Sequence, residues 1–339
     1  MKKVLIGMSG GVDSSVSAII LQKQGYEVIG ATMVLHDYDN KIIEDAKNVC
    51  NYLNIEHHTI DLKKEFKEKV IDNFINSYIN GKTPNPCIEC NRHFKFGYLY
   101  DKAKELGCDY IATGHYARIV DGKLLKSNVI EKDQTYFLYK IKKEVLDHII
   151  FPLEEFSSKT EIREIANQYN LPVKEKKDSQ EICFIPNNNY SLFLEKNASN
   201  LPDKGNFILK DGTFIGKHKG IMYYTIGQRK GLGISYTRPL YVINIDKKTN
   251  NIILGDEIDL YNKELIATDV NLLIDKIPNN IQAKIRYRSN CAPCTIEKIN
   301  DNEIKVIFDE KQKSITKGQS VVLYDNDICI GGGIIKEVY

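Results

Sequence analysis

The chain of 339 residues is 42% hydrophobic and 27% charged, with a formal net charge of +2. This composition is not that of a disordered chain or of a strongly basic nucleic-acid-binding domain. There is no apolar run of about 18 residues and no signal-peptide pattern at the N-terminus, so we expect a cytoplasmic protein without a membrane span. The length exceeds what one hydrophobic core usually serves, which predicts two or three domains.

A segment rich in glycine and serine follows the first predicted strand, Val4 to Ile6, and precedes a predicted helix over 16–24. Glycines at 7, 10 and 11 allow main-chain N–H groups to approach an anion, and the helix directs its positive end to the same point. The spacing fits neither a P-loop kinase motif nor a dinucleotide-binding motif. The segment therefore predicts a different phosphate-binding turn, with a plain strand-to-helix turn as the alternative.

The first half of the chain alternates strand and helix patterns, which predicts a parallel sheet with helices on both faces and ligands at the carboxyl ends of the strands. Further strands are expected at 28–35, 55–60 and 110–113, and further helices at 45–53, 66–79 and 103–107.

After about residue 200, turn residues separate short β-rich runs, which predicts small antiparallel β modules. We expect these strands at 206–209, 240–245, 251–254, 283–288 and 319–324. The predicted domains are a catalytic domain over 1–200, a small central β domain over 201–268 and a C-terminal β-barrel over 269–339.

Eight cysteines are scattered along the chain and form no dense disulfide framework. Two of them, Cys87 and Cys90, follow Pro84 and Pro86, which predicts thiols on a stiff, irregular loop. A third, Cys183, lies in a polar segment after Lys176 and Lys177, two cations that would favour the reactive thiolate.

Seven motifs occur in an order that resembles the tRNA-specific 2-thiouridylases, the MnmA family of N-type ATP pyrophosphatases (PP-loop enzymes). They are SGGVDSS, TPNPCxxCN, ATGHYAR, KDQTYFL, KKDSQEICFI, YTIGQRKGLGI and the terminal GGGII. Any one could arise by chance, but the ordered set spans nearly the whole chain.

The resemblance implies ATP-dependent conversion of the wobble uridine of certain tRNAs to 2-thiouridine. With ATP and Mg²⁺, the uracil O2 would be adenylated and pyrophosphate released. Cys183 would carry a persulfide sulfur from a donor protein, either a cysteine desulfurase or a sulfur relay protein. Cys90 would be the partner nucleophile, forming a transient disulfide with Cys183, and AMP would leave as sulfur bonds to C2.

Cys87 stands where the best-known members of the family carry Asp, so the general base expected there is replaced by a thiol. The change creates a set of three thiols, and related tRNA thiolases use three cysteines to hold a [4Fe-4S] cluster. A cluster on Cys87, Cys90 and Cys183 is therefore a second hypothesis for the sulfur chemistry. A zinc site made of Cys87, Cys90, Cys291 and Cys294 is a weaker alternative, since the two pairs lie in different predicted domains.

The resemblance also implies ligand contacts. ATP would be bound by Gly7, Met8, Ser9, Gly10, Gly11, Val12, Asp13, Ser14, Met33 and Gly114. The tRNA would contact Asn85, Pro86, Cys87, His115, Lys132, Asp133, Gln134, Arg286, Tyr287 and Gln319.

Two further features of the sequence are consistent with RNA binding. In a strand, Arg286 and Arg288 would share one face, suited to phosphates. Residues 204–230 carry six Lys or Arg residues against one acid, either an RNA-binding element or a solvated surface.

The rival enzyme class is a small-molecule synthetase with the same loop, which leaves Cys90 and Cys183 without a role. A non-catalytic RNA-binding module leaves the nucleotide loop unexplained.

Overall fold

The structure is a computed structural model that describes residues 1–37, 40–177 and 182–339. Over these ranges, no helix is both long and apolar enough to cross a membrane.

A parallel sheet organises the first half of the chain. In spatial order, its five strands in the described ranges are Glu56–Asp61, Glu27–Val34, Lys3–Gly7, Tyr110–Ala112 and Ile149–Ile150. Every neighbouring pair is parallel. Val4, Leu5 and Ile6 in the central strand have no exposed surface, as expected for a sheet covered on both faces. The predicted α/β class is confirmed.

Helices connect and cover these strands. The α-helical segments are Val12–Lys23, Asn40–Tyr52, Lys63–Phe66, Asp72–Ile79, Pro86–Cys90, Leu99–Glu105, Lys159–Gln168 and Tyr190–Asn197, and Lys67–Ile71 and Asn91–Tyr98 are π-helical. Short 3₁₀ turns are Ile130–Lys132, Thr135–Phe137, Lys143–His148, Pro186–Asn188, Ile221–Tyr223 and Glu257–Leu260. The segments over 86–105 follow one another without a break, and we call this unit the thiol helix.

A smaller sheet forms the centre of the chain. Its strands, in spatial order, are Tyr241–Asp246, Asn251–Gly255, Gly205–Leu209 and Phe214–His218. The expectation of purely antiparallel pairing is wrong here, because Asn251–Gly255 pairs in parallel with Gly205–Leu209.

The last sheet is a closed antiparallel barrel, which confirms the predicted final architecture. Its six strands are Tyr261–Leu272, Glu303–Lys313, Ala292–Asn300, Ile281–Lys284, Ser320–Asp325 and Ile328–Val338, and the first pairs with the last. Thr268, where the sequence places a boundary, lies inside the first of these strands. A hairpin of Ala117–Val120 and Lys123–Lys126 extends the sheet through the pair Leu125 and Ile328.

The barrel packs directly on the first domain. One apolar cluster contains Leu5 and Ile111 of the parallel sheet together with Val322 and Tyr324 of the barrel. Tyr136 donates a hydrogen bond to the backbone oxygen of Ser320 at 2.9 Å. The barrel therefore helps to position the residues that follow the parallel sheet.

Candidate active site

The glycine-rich turn lies at the carboxyl end of the central strand. Helix Val12–Lys23 begins four residues earlier than the sequence predicted, so the open turn is short and Gly11 is its N-cap. The Ser15 hydroxyl donates to the backbone oxygen of Gly11 at 2.7 Å, which stabilises the first turn. Gly10 has a φ of +60°, and a Cβ there would lie 2.8 Å from Cβ of Asp45. Only glycine fits this position.

A second wall of the turn is formed by residues 113–116, which follow strand Tyr110–Ala112. A Cβ on Gly114 would lie 2.9 Å from both the backbone C of Asp13 and the backbone N of Ser14. The Tyr116 hydroxyl donates to Asp13 at 2.9 Å. The backbone at Gly114 thus meets the backbone of the phosphate turn at the N-terminus of the helix. Main-chain N–H groups and the helix dipole favour an anion at this point.

Two lysines that the sequence analysis did not assign to this site bind the same turn. Lys159 forms an ion pair with Asp13. Lys176 donates to the backbone oxygen of Gly10 at 2.8 Å and to Asp45 at 2.6 Å. The Lys176 ammonium is thus bound at the turn, and its effect on the Cys183 thiol stays a prediction. Lys159 lies 146 residues after Asp13 and Lys176 lies 166 residues after Gly10, so no local pattern links them to the turn.

The turn fits the triphosphate of a nucleotide. Its glycines let neighbouring backbones pack closely around the start of the helix, whose N-terminus favours a phosphate. Asp13, which is paired with Lys159 and Tyr116, is the carboxylate there that would hold a phosphate-bound Mg²⁺. Met33, the predicted adenine contact, lies at the same edge of the sheet, near the end of the adjacent strand.

The two neighbouring thiols lie in a helix. The expectation of an irregular loop is wrong, because Pro86 occupies the first helical position, where proline's missing N–H and fixed φ are favourable. Asn85 is the N-cap with extended backbone angles. Cys87 is therefore the second residue of this helix and Cys90 the last, and a π-helical segment, Asn91–Tyr98, follows directly.

Lys95 is the cation that acts on both thiols. Burial raises the pKa of the Cys90 thiol to about 11, and Lys95 opposes that shift. Desolvation also raises the pKa of the Cys87 thiol, again opposed by Lys95, although Cys87 as a residue reaches the surface. In π-helical hydrogen bonding, residues five apart lie about one turn apart, which places Lys95 near Cys90. The sequence analysis missed Lys95 because it treated this region as a loop.

Cys183 is exposed and lies in a turn. The adjacent Phe184 is buried, with its ring 5.5 Å from Phe74 and 5.7 Å from Phe66. Cys90 and Ile182 pack against the same apolar cluster. The cluster thus brings the thiol helix and the segment around Cys183 to one side of the first domain. The part of the KKDSQEICFI motif at 178–181 lies outside the described residues.

All eight cysteines lie in the described ranges, and none of them forms a disulfide there. Across those ranges, no group of three or more His, Cys, Asp or Glu side chains is arranged to hold a metal ion. Neither the [4Fe-4S] hypothesis nor the zinc alternative gains support from the geometry. Cys294 and Cys329 are buried in the core, which agrees with a packing role.

The predicted RNA contacts 132–134 have structural partners. The Asp133 carboxylate is buried and accepts from the Thr135 hydroxyl at 2.8 Å. Gln134 accepts from the backbone N–H of Tyr116 at 2.9 Å, which holds the wall beside the phosphate turn. Contact of these residues with RNA stays a prediction.

The strand expected at 283–288 ends at Lys284, so the shared face for Arg286 and Arg288 is wrong. The backbone oxygen of Arg286 accepts from the N–H of Ser289 at 3.2 Å, and this interaction closes a turn. The Arg286 guanidinium donates to the backbone oxygen of Ser314 and, at 3.0 Å, to the hydroxyl of Thr316. The guanidinium is therefore bound to the barrel, and contact of Arg286 with RNA stays a prediction.

Tyr287 and Gln319 pack on the first domain. The Tyr287 ring lies 4.4 Å from that of Phe137. Gln319 donates to the backbone oxygen of Thr83 at 2.8 Å, just before the thiol helix. Both were predicted from the sequence as RNA contacts, which the structure leaves untested.

Family models match the three parts of the chain in order. A tRNA methyl transferase HUP domain matches residues 2–187, a tRNA methyl transferase PRC-barrel domain matches 191–256, and an aminomethyltransferase β-barrel domain matches 262–335. The tRNA-specific 2-thiouridylase MnmA of Clostridioides difficile is 49% identical, covering 99% of this chain and 98% of that protein. This chain belongs to the MnmA family.

Other MnmA proteins are equally similar. That of Clostridium beijerinckii is 50% identical and that of Halothermothrix orenii 48% identical, each covering 99% of both chains. Membership of the MnmA family, whose first domain carries the PP-loop, implies the use of ATP.

Proposed function

We propose that this protein uses ATP to activate the C2 oxygen of the wobble uridine in tRNA and replaces that oxygen with sulfur. The observation that carries the proposal is that residues 113–116 contact both the phosphate turn and the thiol helix. Gly114 packs on the phosphate turn, and the next residue, His115, has its Nε2 3.3 Å from Nζ of Lys95 in the thiol helix. An activated base held at the turn would thus lie near the thiols.

The first step of the proposed reaction is adenylation. The uracil O2 attacks the α phosphorus of ATP and pyrophosphate leaves, which converts a poor leaving group into AMP. The turn from Gly7 to Ser14, with Met33 and Gly114, would hold the nucleotide. The Asp13 carboxylate would hold Mg²⁺, and the positive end of the helix would stabilise the departing phosphates.

The second step is sulfur transfer. A donor protein would load Cys183 with a persulfide. The Cys90 thiolate attacks Sγ of Cys183, a Cys90–Cys183 disulfide forms, and the released sulfide attacks C2 as AMP leaves. An external thiol then reduces the disulfide. The reaction would take place in the cytoplasm, where tRNA is found.

The target base would have to leave its stack to reach the site. An anticodon loop is single-stranded, so extruding a base costs little. Asn85, Pro86 and Cys87, at the start of the thiol helix, would border that base, and His115 would contact the RNA.

Pyrophosphate release tests the proposed class of reaction. Purified protein is incubated with ATP, Mg²⁺, a reducing thiol and a cysteine desulfurase with cysteine as the sulfur source, and with bulk tRNA, other amino acids or free nucleosides in turn. We expect release only with tRNA, and 2-thiouridine in the nuclease digest of that tRNA. Release with an amino acid or nucleoside but not with tRNA would instead indicate a small-molecule synthetase.

The route of sulfur is tested separately. Anaerobically purified protein is analysed for iron and acid-labile sulfide. The persulfide route predicts neither in stoichiometric amount, whereas a [4Fe-4S] cluster on Cys87, Cys90 and Cys183 predicts both.

A further inference from the structure

A network of charges surrounds Glu89, which lies between the two thiols of the thiol helix. Its carboxylate accepts from Nζ of Lys140 at 2.6 Å and lies 3.4 Å from Nε2 of His93. Lys140 also donates to Asp269 of the barrel at 2.5 Å, and Arg92 donates to the same carboxylate at 3.0 Å. We call Glu89, Lys140 and Asp269 the barrel link.

The centre of the barrel link is shielded from water. The side chain of Lys140 is 2% exposed and that of Glu89 is 13% exposed. Burial alone would raise the pKa of Glu89, but His93, Lys140 and Arg92 together lower it to about 2. Glu89 is therefore a carboxylate near neutral pH. The ammonium of Lys140 bridges this carboxylate and that of Asp269, which lie in two different domains.

The barrel end of the link has an unusual backbone. Asp269 has a φ of +52° and lies where the pairing of Tyr261–Leu272 with Ile328–Val338 shifts register. Two residues further on, Asn271 donates to the backbone oxygens of Tyr139 and Ile141 at 2.6 and 2.9 Å. This bulge of the barrel therefore holds Lys140 by its side chain and by both neighbouring carbonyls.

The thiol helix has a second attachment to the same segment. The side chain of Asn91, next to Cys90, donates to the backbone oxygen of Phe137 at 3.0 Å. Before the helix, the backbone N–H of Thr83 donates to the oxygen of Lys317 in the barrel at 2.9 Å. The barrel is therefore connected to the thiol-bearing turn from both sides.

We propose that Lys140 and Asp269 are positioning residues for sulfur transfer, which hold Glu89 and thereby aim the thiol-bearing turn at the activated base. The inference rests on the proposed function. Replacing buried ion pairs by apolar residues often leaves stability unchanged or raises it, so such a pair is weak evidence for a stabilising role alone. An attacking thiolate has to be aimed, and a misplacement of about 1 Å can cost about a hundredfold in rate.

The test compares two rates in the full-length protein with tRNA, ATP, Mg²⁺ and a reducing thiol, with a cysteine desulfurase and cysteine as the source of persulfide sulfur. One is pyrophosphate release, and the other is formation of 2-thiouridine. The variant is Asp269→Asn, because Asn tolerates a positive φ and the change removes mainly the charge. The matched control is Asp275→Asn, which breaks a 2.7 Å ion pair with Lys143 between the same two segments but at a side chain that is 88% exposed.

For Asp269→Asn we expect the yield of 2-thiouridine per pyrophosphate to fall about tenfold, with pyrophosphate release within about twofold of wild type. Asp275→Asn should match wild type. An unchanged yield in Asp269→Asn, or an equal fall of both rates, would overturn the inference. If Asp269→Asn does not fold, Arg92→Gln, which loosens the exposed side of the network, is judged by the same ratio.

Failure of the proposed function would look different. In that case the wild-type protein would itself release no pyrophosphate with tRNA or form no 2-thiouridine.

Discussion

Nζ of Lys95 lies 3.3 Å from Nε2 of His115, and the other ring nitrogen of His115 lies 2.8 Å from the hydroxyl of Thr113. Burial lowers the pKa of His115 well below its usual value, and Lys95 adds to that effect. The imidazole is therefore neutral, with Nε2 accepting from Lys95 and Nδ1–H donating to Thr113. The pair connects the thiol helix to the wall of the phosphate turn.

Replacing Lys95 by Met is expected to slow alkylation of Cys90. Burial raises the pKa of this thiol and Lys95 opposes that rise, with a net value of about 11, so losing the cation raises the pKa further and reduces the thiolate at a given pH. We expect alkylation by iodoacetamide near pH 8 to be about threefold to tenfold slower, with the pH profile displaced to higher pH. Peptide mass spectrometry measures the rate at Cys90.

The control for that prediction is Lys102→Met. Lys102 lies in the same thiol helix and pairs with Glu105 at 2.9 Å on the exposed side. Its replacement should leave the Cys90 profile unchanged. An unchanged profile in Lys95→Met would show that Lys95 does not act on the thiol.

Gly114→Ala is expected to weaken ATP binding about tenfold to a hundredfold. The added Cβ would meet backbone atoms of Asp13 and Ser14 at 2.9 Å, and neither can move without shifting the start of the helix. Calorimetric titration with ATP and Mg²⁺ measures the effect. Gly216→Ala is the matched control, because its Cβ would have only an ordinary 3.5 Å contact with Ile234. Wild-type affinity in Gly114→Ala would contradict the placement of the nucleotide.

Lys176→Met is expected to weaken ATP binding by about tenfold, since it removes the donor to the Gly10 oxygen and leaves Asp45 unpaired beside the turn. Lys174→Met is the control. Lys174 donates to Asn170 at 2.7 Å on the exposed surface and does not contact the turn. Equal ATP affinities for the two variants would rule out a role of Lys176 in holding the turn.

Substitutions at Arg286 and Arg288 are expected to have different effects, the first on stability and the second on tRNA binding. Arg286→Ala should lower the free energy of unfolding by about 1–3 kcal/mol, because Ser314 and Thr316 lose a charged donor. Arg288 is exposed, so Arg288→Ala should change stability by less than about 0.5 kcal/mol while weakening tRNA binding and reducing its salt dependence. Urea unfolding and filter binding measure the two effects. The reverse pattern would show that Arg286, rather than Arg288, contributes to tRNA binding.

Local patterns predicted much of the first domain. The apolar run Val4 to Ile6 gave a buried parallel strand, and the glycines after it gave a turn at the carboxyl end of that strand. Pro86 misled the prediction, because proline is compatible both with an extended loop and with the first position of a helix. The strand prediction at Arg286 was wrong as well. The alternation of polar and apolar residues continues past Lys284, where the strand ends and a turn begins.

Long-range contacts could not be predicted from local patterns. Lys140 is 51 residues from Glu89 and 129 from Asp269 in sequence, and the three meet only because the barrel packs on the parallel sheet. Lys159 and Lys176 likewise reach the phosphate turn through tertiary packing. Resemblance to a family indicates which residues act, but the partners that orient them become visible only in the fold.

Replacement of Cys183 by Ser, followed by mass spectrometry of the nucleosides in the reacted tRNA, tests the account most directly. Cys108→Ser, at a partly buried thiol just beyond the C-terminal end of the thiol helix, is the control. The account predicts that Cys183→Ser still releases pyrophosphate with tRNA and ATP but forms no 2-thiouridine. Formation of 2-thiouridine at the wild-type level in that variant would contradict it.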